Sequence, residues 1–75
     1  MAHYRYRQFL YEPAPEWNGK NWIAGVVISR DHDGLSEEKR FGSELTFDTR
    51  VGALAESMAL AMRIIDRITS GAEKL

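Results

Sequence analysis

The stretch that decides the fold is Asp48 to Ile68, DTRVGALAESMALAMRIIDRI, because it reads as one long helix carrying more apolar surface than a 75-residue domain needs to cover. Advancing about 100° per residue places Val51, Leu54, Ala55, Met58, Met62 and Ile65 in one arc about 100° wide, which is enough to face a small sheet. Leu60, Ile64, Ala53 and Ser57 lie outside that arc and extend it by roughly another 120° on one flank. Glu56, Arg63 and Arg67 hold the remaining side. A helix apolar over more than half its circumference is seldom left bare in water, so Leu60, Ile64, Ala53 and Ser57 form the candidate partner interface. A second copy meeting itself there makes an isologous contact. The plainer alternative is that the segment Glu12 to Asn21, with Trp17, folds back over Leu60 and Ile64. Asp48 or Thr49 is placed to cap the helix, and Gly71 sits where helices commonly end.

Upstream, three strands are expected. Tyr4 to Tyr11 is dense in aromatics and is followed by the breakers Pro13, Pro15 and Asn18-Gly19. Trp22 to Ile28 is a short apolar, β-branched run between turn residues, the pattern of a central strand. Lys39 to Phe47 alternates, with Phe41, Ser43, Leu45 and Phe47 on one face and Arg40, Gly42, Glu44 and Thr46 on the other. Neither connection is long enough for a crossover helix. The expected fold is therefore α+β: a three-stranded antiparallel meander with one C-terminal helix across one face. Residues 1–71 make the single domain, and 72–75 a frayed tail.

Composition narrows function by exclusion. So short a chain buries roughly 60% of its unfolded surface, which leaves stability marginal unless something adds to it. With no cysteine, disulfides, thiolate metal sites and cysteine nucleophiles are excluded, leaving oligomerisation the addition most open. Ten basic and eleven acidic residues give a net charge of -1 and no global field for nucleic acid or an anionic bilayer. No secretory h-region follows Met1, and charged residues interrupt the helix as a membrane span, so a cytoplasmic location without membrane attachment is the expectation.

The first strand carries a second candidate surface. If it alternates without a bulge, Tyr4, Tyr6 and Leu10 face the helix while Arg5, Arg7, Phe9 and Tyr11 line the open face. Arginines interleaved with aromatics suit stacked bases and phosphates. A bulge near Arg7-Gln8 turns Phe9 and Tyr11 inward and dissolves that patch.

Catalytic and metal signatures fail on spacing. In Ser29-Arg30-Asp31-His32-Asp33-Gly34 the start of a calcium loop is matched, but the twelfth position is Arg40 where a bidentate glutamate is required. An ordinary hairpin turn accounts for the segment. Glu37 and Glu38 point apart and cannot share a substrate. No serine sits in a nucleophile elbow, and the glycines form no phosphate loop. No catalytic, cofactor or metal residue is assigned, and a sheet this small leaves little room for a pocket of about 300 Å³.

The run from Trp22 to Ile28, the strand ending Leu45-Thr46-Phe47, and Asp48-Thr49-Arg50 leading to Ile64-Ile65-Asp66 resemble short uncharacterised bacterial proteins of β-β-β-α layout, which carry no assigned activity. The layout is also similar to the β-β-β-α part of double-stranded RNA-binding domains. This chain has no helix before the sheet and no lysine cluster at Arg50-Val51-Gly52-Ala53, so no functional residue follows from that likeness. The expectation is a non-enzymatic protein-interaction module, a homodimer or an adaptor, with nucleic-acid binding at the open sheet face as the alternative.

Overall fold

The computed structural model describes residues 3–75, and for His32 the backbone alone. Five strands and one helix follow one another: β1 Tyr4–Tyr6, β2 Phe9–Pro13, β3 Glu16–Trp17, β4 Trp22–His32, β5 Leu35–Phe47 and α1 Arg50–Ser70. All strand pairs are antiparallel. The α+β class and the helix over one face agree with the sequence. The strand number does not, because two short elements escape a reading based on apolar runs.

The first of these comes from a tight turn. Arg7 (φ 48°) and Gln8 (φ 70°) both adopt left-handed backbone, the geometry of a two-residue hairpin loop. The expected strand Tyr4 to Tyr11 is thereby folded in two, with Tyr6 opposite Phe9 and Tyr4 opposite Tyr11. The second is β3, where Trp17 pairs with Trp22 across a loop whose Asn18 carboxamide accepts from the Lys20 and Asn21 amides at 2.8 and 2.7 Å. Gly19 supplies the positive φ that loop needs.

β4 is the central strand. One of its edges carries β2 and, further along, β3, and the other carries β5 along almost its whole length. The β4–β5 connection is a two-residue turn at Asp33 (φ 50°) and Gly34 (φ 78°), so the Asp31 to Gly34 segment is the hairpin expected of it. Asp31 there accepts from the Ser36 hydroxyl at 2.9 Å.

Thr49 caps α1 by accepting from the Gly52 amide at 3.1 Å, and Gly71 closes it in left-handed conformation. The last residues, expected as a tail, make contacts back to the helix and the core. The Ala72 amide donates to the Arg67 carbonyl, Glu73 pairs with Arg67 at 2.8 Å, and Leu75 packs against the core.

The core lies between α1 and one face of the sheet, where Phe9, Tyr11, Val26, Ile28, Ala61, Ile64 and Ile65 are buried together. The shortest dimension of the molecule, 16 Å, is that of two layers, so the other sheet face meets solvent.

Candidate interaction surfaces

The orientation of α1 is the main departure from expectation. Its buried residues are Ala53, Ser57, Ala61, Ile64 and Ile65. Of the arc assigned to the core from the sequence, Ile65 is buried and Leu54 and Met58 are half-buried, whereas Val51 is 74% exposed, Met62 39%, and Ala55 open to solvent. The candidate interface of Leu60, Ile64, Ala53 and Ser57 is accordingly corrected. Ala53, Ser57 and Ile64 are fully covered by the sheet, and Leu60 packs at the core margin. Trp17 is 55% exposed against Trp22, while the sheet itself does the covering assigned to its loop.

The reason lies in side-chain size. Ala53, Ser57 and Ala61 recur every fourth residue, forming a smooth stripe that lets the helix backbone approach the strand. On β4 the opposing residues, Ala24 and Gly25, are equally small. A Cβ on Gly25 would lie 3.0 Å from the Ala14 carbonyl oxygen, a contact tight enough that the Ala14 backbone would have to give way to any larger residue. The ladder between β4 and β5 breaks between Ile23 and Gly25. There the Gly25 amide donates to Ser57 Oγ at 3.0 Å, and the Ser57 hydroxyl donates to the Ala53 carbonyl at 2.7 Å. The one fully buried polar side chain among the described residues thus makes a bond in each direction, as burial demands. The small-residue spacing in the helix, with a glycine inside a strand, was the legible signal for this close approach.

Reorientation leaves a different surplus on the opposite flank. Val51, Ala55, Met58 and Met62 follow a four-three-four spacing along one side of α1, beside Leu54. Leu54 and Arg50 line a groove of about 360 Å³ with Tyr4, Pro13 and Pro15. Tyr4, stacked on Tyr11 with ring centroids 5.4 Å apart, is 40% exposed and extends this apolar flank onto β1.

The arginine and aromatic surface of the first strand is not assembled. The Arg7-Gln8 turn reverses the alternation, so Phe9 and Tyr11 are buried under α1 and Leu10 lies on the open face beside Arg5. A two-residue turn has the consequence foreseen for a bulge. Arg7 is drawn to the helix: its Nε lies 2.8 Å from Asp66 Oδ1, and the Tyr6 hydroxyl donates to the same oxygen at 3.0 Å. Its guanidinium is held above its ordinary pKa by the bond to the Tyr6 hydroxyl and by the Asp66 charge. Burial, and then the neighbouring Tyr4, push the Tyr11 hydroxyl above its usual value.

Clefts larger than the sheet's size implied do form on the surface. One of about 510 Å³ is lined by Arg7, Gln8, Phe9, Arg30, Ile68 and Thr69, with neither a carboxylate nor a histidine for acid–base work. Arg30 is committed to Glu37 at 3.1 Å and to the Phe9 ring. His3 Nε2 lies 3.9 Å from Glu12 Oε2 at the exposed end of the β1–β2 ladder. Among the described residues no three histidine or carboxylate side chains gather in a way that would hold a metal ion. No helix there is long and apolar enough to cross a membrane.

Comparison with protein-family models, curated proteins and solved structures finds no match for this chain.

Proposed function

We propose that this chain is a non-enzymatic protein-interaction module, acting as a homodimer or as an adaptor, and that its contact surface is the uncovered flank of α1. The observation that carries the reading is Val51, 74% exposed on the same side as Met62 and Ala55. The four-three-four spacing of Val51, Ala55, Met58 and Met62 is that of a seam that takes side chains of a second helix between its own. Ala55 leaves a recess between the larger Val51 and Met58, and the two methionines adapt to the shape they meet. Tyr4 adds a ring with a polar tip at the margin, a residue type favoured at contacts. Burying a valine or methionine side chain contributes about 1.5–3 kcal/mol each. Three or four such groups suit a reversible partnership rather than a permanent one.

No cofactor or metal enters this reading, and the balanced charge agrees with a soluble, cytoplasmic protein. The test combines light scattering over a concentration series with selection from a displayed library of amphipathic helices, the contact then mapped by amide shifts. Self-association or binding that shifts Val51 to Met62, and that Val51→Asp abolishes, is the expected result. A chain that stays monomeric and yields no binder touching Val51 and Met62 contradicts it.

A further inference from the structure

Among the described residues β5 is the longest strand, 13 residues, and only β4 pairs with it. Its outer edge therefore presents a row of backbone donors and acceptors with no strand beside them. Charged residues on such an edge ordinarily discourage pairing. Here their order does something else. From Leu35 to Gly42 the strand matches β4 residue for residue, while 43–45 stand opposite Ala24 alone, so the straight portion ends at Gly42. Within it Glu37 faces the helix side, bonded to Arg30, and Lys39 lies over the Phe41 ring on that same side. Glu38 and Arg40 alternate onto the open side, where Arg40 pairs with Glu16.

We propose that β5 pairs antiparallel with β5 of a second copy, about a two-fold axis through Lys39. Two antiparallel edge strands related by a two-fold axis keep their faces in common, so the axis passes opposite a residue and every pair of facing side chains shares a side. Each of the axes at Glu38, Lys39 and Arg40 sets one charged residue against its own copy; at Arg40 the two guanidiniums meet while Glu38 faces only Gly42, and at Glu38 the two carboxylates meet while Lys39 faces a Glu37 already bonded to Arg30. Moving it to Gly42 runs the pairing through the irregular 43–45 segment. The axis at Lys39 places Glu38 opposite the partner's Arg40 twice, on the open face, and extends each Arg40–Glu16 pair into a three-membered network. The two Lys39 ammonium groups meet between Glu37 and the partner's Glu37. The product is one continuous sheet with both α1 helices on the same face, so the flank of the preceding section is presented twice on that face, the two related by a half-turn. The contact uses a different surface from that flank.

The experiment is light scattering and sedimentation of the intact chain up to about 1 mM, with amide exchange read along β5. A dimer is expected in which alternate amides from Ser36 to Gly42 gain protection as concentration rises. Glu38→Arg and Arg40→Glu should each weaken it about tenfold or more, since each sets like charges together twice. The double variant Glu38→Arg/Arg40→Glu should restore it to within a few-fold of the original. A monomer at the highest concentration overturns the proposal. So does a dimer that Val51→Asp dissociates and Glu38→Arg leaves intact, which places the contact on the helix flank instead.

Discussion

The two flanks of α1 invite comparison. One presents Ala53, Ser57, Ala61 and Ile64, all buried. The other presents Val51, Met58 and Met62, with Ala55 between them, side chains that stay partly or largely in water and are mostly bulkier. By side-chain hydrophobicity alone the second is the better core face, and the protein uses the first. A large side chain holds the helix away from the sheet, whereas a stripe of small ones lets backbone meet backbone and lets the flanking Ile64 and Ile65 reach Val26 and Ile28 on either side. What is buried depends on fit to the opposing surface, and Gly25 with Ala24 sets that surface here.

The comparison is tested most severely by truncation. Ile65→Ala should cost about 2–5 kcal/mol in urea unfolding, whereas Met62→Ala three residues earlier should change stability by less than about 1 kcal/mol. Equal losses would mean that both flanks are packed. Enlarging small residues asks the opposite question. Ala61→Leu should destabilise by about 1–3 kcal/mol through overpacking, while Ala55→Leu on the outer flank should be close to neutral in the same assay.

A subtler distinction concerns the polar pin. Ser57→Ala keeps the small stripe but leaves the Gly25 amide buried without its acceptor, which should cost about 1–2 kcal/mol and speed hydrogen exchange at Gly25. Unchanged exchange there would mean that this bond does not hold the ladder break to the helix.

The smallest effect concerns the aromatic pair under the helix margin. The fold holds the Tyr11 hydroxyl above its ordinary value of 10.0, so its neutral form is the one favoured in the native state. That stability is complete below the unfolded pKa and is lost as pH rises through the folded pKa. The melting temperature should therefore fall as pH climbs past about 10, and less so in Tyr11→Phe.

Much of this arrangement was legible in the chain. Thr49 and Gly71 mark the helix ends through capping chemistry that is local, and the alternation of Lys39 to Gly42 needs only the strand period, whereas the irregularity at 43–45, which leaves Leu45 57% exposed, interrupts the alternation expected on to Phe47. Asp33-Gly34 and Asn18-Gly19 announce turns by residue type. Arg7-Gln8 does not, since neither residue favours positive φ, and its geometry is tied to tertiary contacts with Asp66 and Tyr6 that a local reading has no access to. Missing that turn placed Phe9 and Tyr11 on the wrong face. The helix rotation was missed for a related reason: alanine and serine count for little on a hydropathy scale, while their value here is the space they leave. The wide apolar circumference was read soundly, but the side with surplus surface was reversed.

Side-chain proximity tests the central claim, that the small-residue stripe faces the sheet, most directly. In a methyl-resolved nuclear Overhauser spectrum the Ala61 methyl group should show cross-peaks to Val26 or Ile28, and the Val51 methyls none to β4. Cross-peaks from Val51 and Met62 to β4, with the Ala61 methyl silent, would contradict it.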